Sequence, residues 1–557
     1  MTVNKRTVGR GALLGGLTSL AVIGLSYIGG RLAHLPFVPL DVFDWLARVL
    51  PGAVINLTID SMVRIITAVK IGPTWSVAKM AEQFMGISLF VLAGIVFGGA
   101  LTLLGRRRPE RLPWVGMAGG LILLAIALAA EAAVGFPPAG PLQSGLWLTV
   151  LFLSWGAVLS AAVRAALRPG EPGPDPARRH FLWLVGLGSF TVAVGALGVK
   201  LLSKEPGGGG AGPSPVADGG LLESGQTAGP AASPSWKELE ARIEPAPGTR
   251  AELTRLKDFY RIDINTRPPE LDGGAWRLEV RGLVERPLSL SLAEVRSRRA
   301  VHQAATLSCI SNPIGGDLIS TGVFTGVRLK DVLAEAGLLP GARAVAIKSA
   351  DGFYESVGLA EAMDDRTLLV HSMNGEPLPA AHGFPLRIFI PGHYGMKQPK
   401  WIISLEAVDR EGPGYWVDRG WDKTAAPNTT SVIDAVAARR PDTPKGLVPV
   451  GGIAYAGQRG ISKVEVQVDT GPWTAAQLRT PPLGPLTWVQ WRFDWPAAAG
   501  HHVLKVRAYD GRGVLQETSA SGTFPGGATG IHDMATDIKP AGPETEGIPG
   551  GRRPSIS

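Results

Sequence analysis

The sequence predicts a multi-domain chain: an N-terminal all-α transmembrane bundle of about five helices, then an α+β domain, then a C-terminal β-sandwich. Three observations predict it. Long uncharged apolar stretches are confined to the first 202 residues, mixed helix and strand patterning follows a Gly/Pro/Ser-rich segment, and short period-two strands dominate beyond residue 441. The length of 557 residues allows three or four domains, and a mean hydropathy of +0.16 is high for a soluble chain of that size.

Five stretches are apolar enough to cross a hydrocarbon core of about 30 Å: residues 10–30, 84–104, 112–135, 145–167 and 181–202. The net charge of +8 is distributed beside them, as Lys5, Arg6 and Arg10, then Arg106, Arg107, Arg108 and Arg111, then Arg178 and Arg179. Such placement is membrane topology and not a nucleic-acid footprint. With the N-terminus cytoplasmic, the basic loops fall inside, while the uncharged loop 136–144, the segment 31–83 and everything after residue 203 fall outside. Within 31–83, Leu57, Met62, Ile65, Ile66 and Val69 among polar residues predict surface-lying helices, and Asp60, Arg64 and Lys70 argue against a further span.

Arg178 and Arg179 precede His180, Phe181 and Leu182, a pattern that resembles the twin-arginine export signature. Paired arginines before a helix also act as positive-inside anchors, so both readings stand. A haem in the bundle would need facing axial ligands, and His34 and His180 both lie at span ends. Glu131, the acidic residue inside a span, is read as interfacial.

Residues 203–235, with Gly207 to Gly210 and scattered Pro and Ser, form a flexible tether that lets the following domain move relative to the membrane. The α+β domain occupies 236–440, where 275–281 alternates as a strand, 329–336 reads as a short helix and 386–390 as a buried strand. In 441–524 the alternations of Val464, Val466 and Val468, of Trp491, Phe493 and Trp495, and of Leu504, Val506 and Ala508 build the sandwich. The Gly/Pro-rich tail 525–557 is expected to be disordered.

The chain has one cysteine, Cys309, in residues 304–317 (AATLSCISNPIGGD). No intrachain disulfide can form, so it is either a buried apolar filler or a thiolate with a chemical task.

Three blocks favour the task. They are residues 306–312 (TLSCISN) with 325–333 (TGVRLKDVL), residues 373–379 (MNGEPLP) running into 382–387 (HGFPLR), and residues 391–401 (PGHYGMKQPKW). In order and spacing, residues 250–520 resemble the molybdenum-cofactor oxidoreductases related to sulfite oxidase. That resemblance implies a molybdopterin-binding, sulfite oxidase-like domain followed by an immunoglobulin-like dimerisation sandwich, with a homodimer as the assembly. It implies a molybdenum–molybdopterin cofactor with Cys309 as the metal's thiolate ligand; soft sulfur tunes such a metal's potential.

By the same resemblance His382, Arg387 and Lys400 hold the cofactor's phosphate and pterin, Asp351 in KSAD bonds the pterin, and Gln398 and Pro399 give backbone contacts. Arg261 in FYR lines the approach to the metal, and His393, with Tyr394, is a candidate proton-transfer group. Sulfite oxidases carry a tyrosine at the metal where residues 415–423 (YWVDRGWDK) place Trp421. Indole cannot titrate as a phenol does, so both oxygen-atom removal and insertion stay open.

No CxxCH motif, cysteine cluster or GxGxxG turn suggests a haem, iron–sulfur cluster or flavin, so electrons pass to a separate partner, a cytochrome or a quinone-linked protein. The expected protein is a multi-pass oxidoreductase of a bacterial plasma membrane, with an extracytoplasmic active site acting on a small molecule. Two rival readings are a non-catalytic cell-surface binding or sensory protein that keeps the fold, and a transporter with an appended domain. Retention of Cys309 beside His382, Arg387 and Lys400 weighs against the first, and the lack of paired broken spans against the second.

Overall fold

The computed structural model describes residues 5–69, 72–135, 139–167, 236–437 and 447–539. Six helices build the N-terminal part: α1 (Lys5–Ala33), α2 (Val38–Val49), α3 (Gly52–Val69), α4 (Thr74–Arg107), α5 (Leu112–Val134) and α6 (Gly140–Leu167). Among the described residues four of them, α1, α4, α5 and α6, are long and apolar enough to cross a membrane, and α2 with α3 forms a pair bent by 119°. The fifth expected span at 181–202, the Arg178–Arg179 pair and the 203–235 segment lie outside the described residues.

Small residues let the long helices touch backbone to backbone. A Cβ added at Gly15 would sit 1.9 Å from the Gly94 carbonyl oxygen, and one at Gly156 would sit 2.3 Å from that of Gly116. Because the four long helices alternate in direction, the ends near Ala33, Thr74, Val134 and Gly140 share one side of the bundle, and Arg106, Arg107, Arg111 and Arg164 lie toward the other.

The α+β part carries two sheets. Strands β1 (Arg277–Gly282), β2 (Leu288–Ser291), β5 (Ala344–Ser349), β6 (Tyr354–Gly358) and β10 (Ile402–Val408) form one, in the order β2-β1-β10-β5-β6, with β1 and β10 parallel. Strands β3 (Val301–Ser308), β4 (Ile319–Arg328), β7 (Leu368–Met373) and β8 (Glu376–Pro377) form the other, and β9 (Arg387–Phe389) pairs with β7. The helix Leu329–Ala336, at the residues expected, buries Leu329, Val332, Leu333 and Ala336 at helical spacing and stops at Gly337, whose φ of 72° is the left-handed cap glycine favours.

Two further four-stranded sheets follow: β11 (Thr430–Val436), β12 (Leu447–Tyr455), β16 (Val489–Pro496) and β15 (Gln477–Leu478) in one, β14 (Thr474–Ala475), β13 (Ile461–Val468), β17 (Gly500–Asp510) and β18 (His532–Ile538) in the other. They share a core of Val448, Val450, Val464, Val466, Trp491, Leu504 and Val506. The expectation of disorder from residue 525 is corrected in part. β18 pairs with β17 along 500–506, and Met534 and Ile538 pack against the shared core, so an exposed β17 edge supplies backbone partners that the tail's composition conceals.

The units are docked on one another. Asp44 of α2 accepts from the Thr266 amide at 2.9 Å, Lys79 of α4 donates to the Asp263 and Asn265 carbonyls at 3.0 and 2.9 Å, and Asn56 of α3 donates to the Arg419 carbonyl at 2.9 Å. Arg48 reaches Asn265 at 2.8 Å and the Asp351 carbonyl at 2.5 Å. Where the composition of 203–235 suggested a domain moving freely, these buried polar contacts seat it directly on α2, α3 and the start of α4. The α2 and α3 helices, expected to lie on a membrane surface, are the platform.

Candidate active site

One cleft gathers Cys309, Asp351, His382, Arg387, Gln398, Pro399, Lys400 and Trp421 from segments more than a hundred residues apart. Cys309 follows the last residue of β3. Its amide donates to the Leu318 carbonyl at 2.9 Å and its carbonyl accepts from the Asn312 amide at 3.1 Å, while Asn312 Oδ1 holds the Leu318 amide at 2.9 Å. These bonds close a loop that aims the thiol into the cleft. Behind it, Tyr455 and Trp488 of the sandwich bond the Thr306 backbone carbonyl and hydroxyl at 3.0 and 2.9 Å, bracing the strand that carries the sulfur.

Cys309 is 8% exposed, and Ser311 Oγ lies 3.0 Å from its sulfur. Burial pushes the thiol up, and the Ser311 hydrogen bonds only partly oppose that. A thiolate there needs a metal cation, which deprotonates a coordinating thiol outright.

The cationic wall is built by β9 and the turn before it. Arg387 is 5% exposed, its Nη1 donates to the His382 carbonyl at 3.3 Å, its guanidinium lies 5.7 Å from the Phe324 ring, and its Nε has no partner. Among the described residues no carboxylate pairs with it, and burial lowers it to about 10, so it stays a cation at neutral pH. Burial, then the charges of Arg387 and Arg261, lower His382 to about 4 and keep its ring neutral. Lys400 pairs with Asp263, which also pairs with Arg261.

A buried unpaired guanidinium is costly unless an anion completes it. The orphaned Arg387 Nε, a neutral imidazole and a lone thiol fit a phosphate-bearing, sulfur-ligated metal cofactor better than they fit a folded core without one.

Other expected residues are placed differently. Asp351 is buried, accepts from the Phe353 amide at 3.0 Å, and is raised to about 6 by burial. Gln398 spends its side chain on the Ile390 backbone, with Nε2 to the carbonyl and the amide to Oε1 both at 2.6 Å, so its contribution to the cleft is as wall. Arg261 stands outside the lining, between Tyr260 and Ile262 which do face the cleft.

His393 is a correction: its ring nitrogens meet the Thr424 carbonyl at 2.8 Å and Glu361 at 3.1 Å, and it lines a different depression with Glu361 and Lys397. The Pro391–Gly392 turn, with Gly392 at φ 82°, rotates it away from the sulfur. Tyr394 is likewise outside the cleft, its hydroxyl accepting from the Asn428 amide at 3.0 Å, and burial raises it to about 12.

Two features were missed by sequence reasoning. Tyr260, next in sequence to Arg261, lines the cleft, and its phenol is raised well above its ordinary value by burial and then by the neighbouring Cys309. A phenol therefore does line the cleft that holds the sulfur, from a segment remote from Trp421. The second is the far wall, made by Ile59, Met62 and Val63 of α3 with Thr74, Ala78, Lys79 and Glu82 of α4. Trp421 Nε1 donates to Asn56 Oδ1 of α3 at 3.1 Å. Nothing local in either segment signals this; the signal lies in the docking.

Comparison with known proteins adds the following. Residues 265–416 match the family model described as oxidoreductase molybdopterin binding domain. The chain is 32% identical over 279 residues to sulfite oxidase of Gallus gallus, covering 42% of this chain and 61% of that one. It is 34% identical over 170 residues to the putative protein-methionine-sulfoxide reductase subunit YedZ1 of Azospira oryzae, covering 30% and 63%. It is 30% identical over 152 residues to the uncharacterized oxidoreductase YuiH of Bacillus subtilis, covering 27% and 75%. The chain thus spans less than two thirds of the first two relatives' own length.

Proposed function

The chain belongs to the sulfite oxidase family of molybdopterin-binding oxidoreductases, and from that premise we propose a membrane-anchored enzyme that exchanges an oxygen atom between water and a small substrate. Substrates of this class are sulfite-like oxyanions and S- or N-oxides. The observation that carries the reading is the one cleft lined both by the buried thiol of Cys309 and by the guanidinium of Arg387, whose Nε has no partner among the described residues.

In this reading Cys309 ligates the molybdenum, while Arg387, Lys400 and neutral His382 hold the phosphate and pterin and Asp351 bonds the pterin. Bound there, the cofactor supplies two-electron oxygen-atom transfer. The chain's own part is binding and proton control. Tyr260 keeps its proton on Oη at neutral pH, so it would offer a hydrogen-bond donor to a substrate oxygen bound in the cleft. Trp416, Trp421 and Met396, which line the same cleft, would help keep water from it. The presence of Tyr260 supports oxygen chemistry at the metal although Trp421 occupies the expected phenol position.

The finer arrangement is part of the same reading. The α+β part (236–440) is the oxidoreductase domain, and the sandwich is immunoglobulin-like and pairs two copies. Catalytic-domain contacts fall at the end of the bundle away from Arg106, Arg107 and Arg111, which by the positive-inside rule supports an active site on the extracytoplasmic face of a plasma membrane.

The test is elemental analysis for molybdenum with fluorescence detection of released pterin on the detergent-purified full chain, followed by methionine sulfoxide reduction with a viologen dye and sulfite oxidation with ferricyanide. Near-stoichiometric metal and pterin with turnover in either assay is expected. A folded chain from a molybdenum-competent host with neither metal nor pterin overturns the reading.

A further inference from the structure

We propose that the electron partner is a lipid-soluble quinone, which enters the cleft from the bilayer between α3 and the start of α4 and reacts there directly. This rests on the oxidoreductase reading above and names its missing co-reactant.

Helix α3 has an unusual position. Ile59, Met62 and Val63 face the cleft that holds Cys309, while Val54, Leu57, Ile65 and Val69 on the same helix are 46%, 68%, 62% and 56% exposed. At the start of α4, Ala78 faces the cleft and Met80 and Phe84 are 59% and 72% exposed. Helix α3 is thus apolar toward the cleft and apolar outward, and the start of α4 is apolar outward but presents Lys79 and Glu82 to the cleft, at the head of a bundle long enough to span a bilayer. Water-soluble proteins rarely display apolar surface in this way; lipid tails cover it without cost. A small apolar molecule dissolved in that lipid meets apolar side chains on both faces of α3, the inner of which line the cleft that holds the sulfur.

An electron carrier is needed because the described residues hold no cluster of His, Cys, Asp or Glu for a second metal, and the sequence has no haem or flavin motif. A quinone needs only the apolar path, plus a polar end for its ring oxygens. Glu82 supplies that end: held at 2.8 Å on the cleft wall by Lys79, whose other N–H groups go to the Asp263 and Asn265 carbonyls, its carboxylate is placed to take a proton from a ring hydroxyl.

The sum balances: a quinol loses its two hydroxyl protons and two electrons, and an S-oxide takes them, its S–O bond breaks, and sulfide and one water leave. Run backward, the quinone takes two electrons and two protons from substrate and water.

The experiment uses the full chain, loaded with cofactor and reconstituted in liposomes. Turnover of whichever substrate the dye assays identify is compared between a short-tail quinol or quinone and the water-soluble dye. An azido-quinone probe then labels the protein under light, and labelled peptides are mapped. Expected are quinone-supported turnover, label within residues 52–84, and a ratio of quinone-driven to dye-driven rate that falls about tenfold or more in Met62→Trp, which fills the path, and in Glu82→Gln. Dye-driven turnover without any quinone-driven turnover overturns the inference and leaves the oxidoreductase reading intact, as does label that maps only elsewhere. Absence of turnover with dye in molybdenum-loaded protein overturns the oxidoreductase reading and this inference with it.

Discussion

The two walls of the cleft are built in opposite ways. The sheet wall, from β3, β9 and the turn at His382, is locked by backbone bonds and carries buried charge that lacks a partner, above all Arg387. The helix wall, from α3 and the start of α4, is apolar, half-buried and held by a few polar contacts such as Asn56 to Trp421. The first wall gives up stability to be ready for an anion and a metal; the second gives up little and can yield to a ligand. Rigid sheets fix reacting groups to within a fraction of an ångström, whereas an apolar helix offers access.

The sharpest break is Cys309→Ser, which keeps the loop and removes the soft ligand. Turnover should fall by at least about a hundredfold, with an altered metal spectrum or lost metal. If metal, spectrum and turnover are all retained, the sheet wall is not the metal's wall.

Arg387→Met should separate function from stability. Removing a buried cation without a partner should raise the stability of cofactor-free protein by about 1–3 kcal/mol. Cofactor retention should fall by about tenfold or more, read as pterin released per chain after gel filtration. A cofactor-free variant that is instead less stable would mean that Arg387 is already satisfied.

Acid should attack the same wall. A His lowered from about 6.5 to about 4 contributes stability that is fully present above the unfolded value and is lost as pH falls through the folded one. His382 and His371, both lowered to about 4 chiefly by burial, should therefore erode stability between pH 6.5 and 4. His382, the more buried of the two, contributes at most on the order of 3 kcal/mol across that window, and His371 less because solvent screens it. His382→Gln should flatten part of the melting-temperature profile on acidification, while an unchanged slope would show that the imidazole is protonated in the fold.

The smallest effect belongs to the helix wall. Asn56→Ala removes the acceptor of Trp421 and the donor to the Arg419 carbonyl, and should cost about 1–2 kcal/mol. A red shift of tryptophan emission should accompany it. No change in either would mean that α3 is not seated on Trp421 in the membrane-embedded protein.

Much of the sheet wall was legible in the sequence. Cys309, His382, Arg387 and Lys400 lie within motifs whose spacing reflects the loops that present them, and the 329–336 helix shows its buried stripe directly. His393 was misplaced because a residue after Pro-Gly can leave that turn in either direction, and Thr424 and Glu361, far along the chain, decide which. Tyr260 was overlooked beside Arg261 because neighbours in an extended segment point to opposite sides, and only the packed cleft says which side matters. The strand at 532–538 was hidden in a Gly/Pro-rich tail because its stability comes from the free edge of β17 and not from its own composition.

By itself the sequence determined the apolar helices, the two kinds of β-patterning and the thiol with its cationic companions. These depend on periodicity and short motifs, which are properties of neighbours along the chain. The tertiary structure alone decided that α3 and the start of α4 wall the cleft, that Tyr260 lines it with the sulfur, and that Arg387 meets no carboxylate among the described residues. Those outcomes come from surfaces meeting across more than 180 residues, as Lys79 meets Asn265, and their free energy is set by burial and desolvation when the parts dock.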